Sequence, residues 1–160
     1  LKEGAYVDTH ARGGVTGLFG APLPQADASL RACRAALAIQ QELSKQLSVH
    51  FKKWSKPIRP SIGINAGNMW VGNLNKKEQL TYAALGSAMD LAIYLERMNQ
   101  IYGTQTLVGP KIHERLKDHF AFREIDWVWI SATQSMISIY ELLGPIENQD
   151  DLALQKQTVE

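Results

Sequence analysis

Apolar and polar residues alternate with a helical period over the segment from Asp27 to about Lys53. The Ala-Pro-Leu-Pro sequence at 21–24 separates this segment from what precedes it, and Asp27 or Ser29 can cap the first turn by accepting a backbone N–H bond. The pattern therefore predicts an amphipathic helix that lies on another part of the protein. Its apolar side consists of Leu30, Cys33, Leu37, Leu43 and Leu47.

The period changes after two prolines that end this helix. Ile62 and Ile64 indicate one strand, and Trp70-Val71 indicates a second. Gly67-Asn68 lies between them, and a glycine there would supply the positive φ of a tight hairpin turn. The charged run Lys76-Lys77-Glu78 is typical of a solvated loop.

A second helix is predicted from near Ser87, which follows Gly86 and is a suitable N-cap. It is expected to end before Gly103, because a glycine at that position readily adopts the left-handed C-cap conformation. The residues that this helix should bury are Met89, Leu91, Ala92, Leu95 and Met98.

The last part of the chain is predicted to contain one strand, a short helix and two further strands, in that order. A β-rich run at Thr104–Val108 precedes Pro110, which suits the first turn of a helix whose apolar side contains Ile112 and Leu116. Two further strands are predicted at Phe120–Ile130 and Met136–Leu143. Together the elements predict an α/β (α+β, ferredoxin-like) fold with a mixed, mostly antiparallel sheet and helices packed on one face.

Composition and charge narrow the class of protein. The chain has 160 residues, 45% of them hydrophobic and 21% charged, which is typical of a globular domain and excludes a disordered or fibrous chain. The formal net charge of +1 gives no basic surface for nucleic acid, and no apolar run is long enough to insert into a membrane. Cys33 is the only cysteine, so we expect a cytoplasmic protein.

Three stretches of the chain together resemble the catalytic domain of class III nucleotidyl cyclases, which make cyclic AMP or cyclic GMP. The resemblance covers residues 7–144, leaves a polar C-terminal tail at 145–160, and implies two-metal phosphoryl chemistry at the interface of a dimer. The stretches are Val7-Asp8 through Leu18–Pro24 into Arg31–Ala36; Ile62–Gly67 into Val71–Asn73; and Tyr82–Gly86 with Leu91-Ala92, Leu95-Glu96 and Tyr102–Thr104.

The resemblance also implies that the residues with which the family binds metal and nucleotide are replaced in this chain. Its second metal-binding Asp matches Gly13, which offers no side-chain oxygen. The two positions that read the base match Thr9, in place of a Lys, and Ala83, in place of an Asp or Thr.

Three further positions follow the same pattern. The Asn that positions the ribose matches Asp90, which is only an acceptor when ionised. The transition-state Arg matches Tyr94, which lacks a guanidinium fork, and a phosphate-binding Lys matches Thr133. We therefore expect no catalytic residues and no metal site, with vestigial nucleotide-site positions at Thr9, Gly13, Ala83, Asp90, Tyr94 and Thr133.

The family's first strand, which carries its first metal-binding Asp, has no match in this chain. Our first hypothesis is a degenerate cyclase-homology domain that signals through a homodimer, or a heterodimer with a cyclase-like domain, as the soluble part of a longer, membrane-anchored protein. One alternative is an active cyclase that uses Mg²⁺ or Mn²⁺ with unusual residues. A second is a sensor that binds a small ligand in the vacated cleft.

Other candidate residues have simpler interpretations. Trp127 and Trp129 share one strand face, which favours core or interface burial over base stacking. Asp8 and Asp90 could in principle form an unorthodox cation site. Cys33 is expected to be a small core residue. The histidines, which lack metal-ligand spacing, are His10, His50, His113 and His119.

Overall fold

The computed structural model describes residues 3–9, 14–50, 60–76, 79–131 and 134–146. None of the helices in these ranges is both long enough and apolar enough to cross a membrane. In chain order the elements are β1 (Tyr6–Thr9), β2 (Val15–Leu18), α1 (Ala28–His50), β3 (Ile62–Ile64), β4 (Trp70–Lys76), β5 (Gln79–Leu85), α2 (Ser87–Tyr102), β6 (Thr106–Val108), α3 (Pro110–Leu116), β7 (Phe120–Ile130) and β8 (Ser135–Pro145).

A four-stranded sheet in the order β3-β6-β8-β7 organises the described chain. β3 and β6 are parallel, whereas β8 pairs antiparallel with both β6 and β7. β1 with β2, and β4 with β5, form two separate antiparallel pairs. The predicted fold class, an α+β fold with a mixed and mostly antiparallel sheet, is confirmed.

Apolar side chains pack on both faces of the four-stranded sheet. Successive residues of a strand point to opposite faces, so Val108 and Leu107 of β6 enter different clusters. Val108 packs with Cys33 of α1 and Ile112 of α3, and Leu107 packs with Leu95 of α2. The helices thus divide between the two faces, a detail that differs from the expectation that they share one.

The contact between α2 and β3 is unusually close because it is made through glycine. A Cβ atom on Gly63 would overlap the carbonyl oxygen of Ala92 and lie 2.5 Å from the backbone nitrogen of Glu96. Asn99 of α2 stabilises the same contact, because its Nδ2 donates a hydrogen bond to the Ile62 carbonyl oxygen at 3.0 Å. The backbone of β3 therefore fixes where α2 lies.

The predicted helices are confirmed, and two of their ends follow the expected capping. Gly103 adopts a left-handed φ of 67° at the C-terminus of α2, and Pro110 occupies the first turn of α3. The N-cap of α2 differs from the prediction. It is Gly86, with a φ of 138°, and Ser87 is already inside the helix.

The predicted hairpin between Ile62–Ile64 and Trp70-Val71 is wrong. β3 pairs in parallel with β6, whereas β4 pairs with β5. Gly67 is absent from the glycines of the described chain that have a positive φ. It is needed for space instead, because a Cβ there would lie 2.7 Å from the Cβ of Ala88 on α2.

The strand β5 was not predicted. Its hairpin with β4 places Lys76 opposite Gln79, so Lys76 ends a strand and is not part of a loop. Lys77 and Glu78 lie outside the described residues, as do the residues of the predicted tail beyond Ile146.

Candidate functional site

The N-terminal half of α2 carries two of the positions to which the family resemblance assigns a role in nucleotide binding or catalysis. Gly86 caps the helix and its carbonyl oxygen accepts the N–H of Asp90 at 3.1 Å. Asp90 is exposed in the first turn, where the helix dipole favours a carboxylate. Tyr94 lies one turn further on and is half-buried, packed against the cluster around Leu95. The helix therefore presents a carboxylate and a phenol side by side.

Ala83 lies on β5, shortly before α2 begins. Its cross-strand partner is Gly72 on β4, and no atom lies within 4 Å of the place where a Cβ on Gly72 would be. This pair leaves a surface with no side-chain donor or acceptor at the position where the resemblance expects a group that reads the base.

Thr9 lies at the end of β1, paired with Val15, and its side chain is exposed. β1 comes close to β5, because the Tyr6 ring meets the Tyr82 ring edge to face with centroids 5.1 Å apart. Since Tyr82 precedes Ala83, the fold brings the strands of Thr9 and Ala83 together.

Two of the predicted site positions, Gly13 and Thr133, lie outside the described residues. Of the other four, Asp90 and Tyr94 share one helix face, and Ala83 and Thr9 lie on strands that approach each other.

No group of three or more His, Cys, Asp or Glu residues within the described ranges is placed to hold a metal ion. Asp8 is half-buried on β1 and Asp90 is exposed on α2, and neither belongs to such a group.

The shifted pKa values near α2 belong to a pair at its other end. Tyr102 donates a hydrogen bond to Asp126 of β7, which raises the pKa of Tyr102 to about 12. The same bond, together with the Trp127 N–H, lowers the pKa of the Asp126 carboxyl group. This pair joins α2 to β7 on the same side as Tyr94, so it is an anchor for the helix.

The β4–β5 pair exposes large apolar side chains next to this region. Trp70 is 85% exposed and Leu85, directly opposite it, is 54% exposed. Val71, the next residue of β4, is also exposed but points to the opposite face of the hairpin, so we call Trp70 and Leu85 the hairpin face. An isolated two-stranded hairpin is only marginally stable in water. The hairpin face is therefore a candidate interaction surface.

Sequence reasoning missed half of the hairpin face because β5 was not predicted. A usable signal was present in the sequence, since Thr81 and Tyr82 favour strands. Only Lys77-Glu78 separates their segment, which begins at Gln79, from the run Trp70–Lys76.

The chain is similar in sequence to adenylate cyclases and similar in fold to solved cyclase structures. No protein-family model matches the chain. The chain is 29% identical over 144 residues to adenylate cyclase 1 of Rhizobium meliloti (strain 1021), a match that covers 90% of this chain and 22% of that protein. The chain therefore spans about a fifth of the length of this relative.

Solved structures share the fold. The adenylyl cyclase CyaB from P. aeruginosa matches with a TM-score of 0.78 and 21% identity, over 93% of this chain and 76% of that one. The non-canonical dimeric guanylyl cyclase domain of the RhoGC fusion protein from the aquatic fungus Blastocladiella emersonii matches with a TM-score of 0.66 and 22% identity, over 90% and 74%.

Proposed function

We propose that this chain, which is similar in sequence and fold to adenylate and guanylate cyclases, is a catalytically degenerate member of the class III nucleotidyl cyclase catalytic-domain family. In this proposal the domain acts in cytoplasmic signal transduction through dimerisation or protein interaction. It binds no catalytic Mg²⁺ or Mn²⁺ and turns over neither ATP nor GTP.

The observation that carries the proposal is the pair Asp90 and Tyr94 on one face of α2. The family resemblance implies an amide and a guanidinium there, which would hold the ribose and the charge of the transition state. An ionised carboxylate next to a triphosphate repels it, and a phenol has no positive charge to offer. Loss of a single transition-state donor costs about 2.7–4 kcal/mol, or 10²–10³ in rate.

The hairpin face supports the interaction part of the proposal. Trp70 and Leu85 form an exposed cross-strand pair, and exposed Trp side chains often dominate the energy of an interface. Ile93 and Ile101 add exposed apolar surface on α2, of 40% and 73% respectively. The partner in the proposal is a second copy of the chain or another cyclase-like domain.

A turnover assay tests the catalytic part. The chain is incubated with ATP or GTP and with Mg²⁺ or Mn²⁺, alone and mixed with an active cyclase domain. We expect no cyclic nucleotide from the chain alone and no increase in the mixture. Production of cyclic AMP or cyclic GMP by the purified chain, lost in a Tyr94→Ala variant, would refute degeneracy.

Sedimentation at several concentrations tests the interaction part. We expect the wild-type chain to dimerise and Trp70→Lys to weaken the dimer about 30-fold, the equivalent of a 2 kcal/mol hot spot. Trp129→Lys is the matched control, because Trp129 is also exposed, at 57%, but lies on β7. A dimer broken by Trp129→Lys and kept by Trp70→Lys would place the interface elsewhere.

An active cyclase is the second candidate function, and the sequence similarity to adenylate cyclase 1 of Rhizobium meliloti favours it. The turnover assay separates the two candidates directly. Thermal-shift measurements with nucleotides add a third outcome, since binding without turnover raises the apparent stability and indicates a ligand sensor.

A further inference from the structure

A shallow groove runs along one side of α1. It has a volume of about 320 Å³ and is lined by Leu30, Arg34, Leu37 and Ala38 of α1, with Phe120 and Pro145 opposite. The α1 residues recur at spacings of three and four, so they form one stripe of the helix. We call this feature the α1 groove. Its floor is apolar, and Arg34, an exposed residue of the lining, contributes a guanidinium.

The C-terminal end of the described chain lies at this groove. Pro145 lines it, and the N–H of Ile146 donates to the carbonyl oxygen of His119, another lining residue, at 3.1 Å. The residues that follow include Asp150-Asp151 and then Leu152-Ala153-Leu154. This sequence matches the groove chemically, with carboxylates for Arg34 and leucines for the apolar floor.

The lengths also agree. From Leu30 to Gln41 the lining part of α1 rises by about 16 Å, and an extended segment of five residues spans about 16 Å. The four steps from Ile146 to Asp150 span up to about 13 Å, a little less than the length of the α1 groove. Alternate residues of an extended segment point the same way, so Leu152 and Leu154 would both face the helix.

We propose that the α1 groove is the docking site for residues 150–154 of the same chain. In this arrangement Asp150 or Asp151 pairs with Arg34, while Leu152 and Leu154 cover Leu37 and Ala38. The segment that leaves the sheet is thereby held against α1, the helix on the face opposite α2. This proposal is independent of whether the domain is catalytically active.

Disulfide trapping in the full chain tests the proposal. Ala38→Cys is combined with Leu154→Cys, and oxidised glutathione is added. The native Cys33 does not interfere, because burial raises its pKa to about 12 and keeps it as an unreactive thiol. We expect an intramolecular disulfide that forms at least about tenfold faster than in the control pair Gln100→Cys with Leu154→Cys. Gln100 is exposed on α2, across the sheet.

A charge exchange completes the test. Arg34→Glu should slow trapping, and Asp150→Lys with Asp151→Lys in the same chain should restore it. Equal trapping rates for the two cysteine pairs would overturn the proposal, as would a disulfide formed mainly between two molecules. Failure of the charge exchange to restore the rate would overturn the assigned ion pair.

Discussion

Asn99 shows how one polar side chain can be buried and still stabilise the fold. It is 1% exposed, and its Nδ2 donates to the carbonyl oxygens of Ile62, Leu95 and Glu96. Its Oδ1 accepts a hydrogen bond from Thr104 Oγ1 at 2.8 Å. Every polar atom of the amide is therefore satisfied, and the side chain ties the end of α2 to β3.

Replacing Asn99 with Ala should lower the free energy of unfolding by about 2–3 kcal/mol, because the Ile62 carbonyl oxygen loses its Asn99 donor in a partly buried position. Urea denaturation of the Asn99→Ala variant measures the effect. Gln100→Ala is the control, since Gln100 is the exposed neighbour on the same helix. Equal losses in the two variants would mean that Asn99 contributes only helix propensity.

At the level of elements, the closeness of α2 to β3 depends on Gly63. Neither Ala92 nor Glu96 can move away, because the atoms that a Cβ would meet belong to the helix backbone. Gly63→Ala should therefore destabilise the protein by about 2–3 kcal/mol, as overpacking does.

Gly72→Ala is the matched control for this prediction, because no atom lies within 4 Å of the added methyl group. Thermal or chemical denaturation should show a clear loss for Gly63→Ala and almost none for Gly72→Ala. A Gly63→Ala variant as stable as the wild type would show that α2 does not lie so close to β3 in solution.

Elements that depend on local signals were predictable from the sequence, and those that depend on distant partners were not. The ends of α2 and α3 follow from Gly103 and Pro110, whose conformational preferences act within a single turn. The parallel pairing of β3 with β6 joins Ile62 to Thr106, far along the chain. Gly67 was misinterpreted for the same reason, since it needs space because of Ala88.

Part of the candidate site was likewise predictable from the sequence, and part of it was not. The placement of Asp90 and Tyr94 on one helix face follows from their spacing, so the sequence was sufficient. The approach of the strands that carry Thr9 and Ala83 needed the structure, because the contact between Tyr6 and Tyr82 is tertiary. The hairpin face was missed because its exposed pair requires the β4–β5 register.

On the scale of the whole molecule, the nearly balanced net charge of +1 leaves the pH dependence of stability to particular groups. His113 stacks on Tyr140 with ring centroids 3.9 Å apart, between α3 and β8. Burial lowers the pKa of His113, Lys117 lowers it further, and Glu124 opposes both. The unfolded chain therefore binds a proton at this residue more strongly than the folded chain does.

Stability linked to His113 should consequently be retained above the ordinary histidine pKa of about 6.5 and lost as the pH falls through it. Urea midpoints at pH 7.5 and pH 5.5 measure this loss. His113→Phe keeps an aromatic ring against Tyr140 but cannot be protonated, so its two midpoints should differ less than those of the wild type. Lys117→Gln removes a nearby positive charge and should give an intermediate difference. A His113→Phe variant that loses as much stability as the wild type on acidification would assign the pH dependence to other groups, because the His113 imidazole would then be absent.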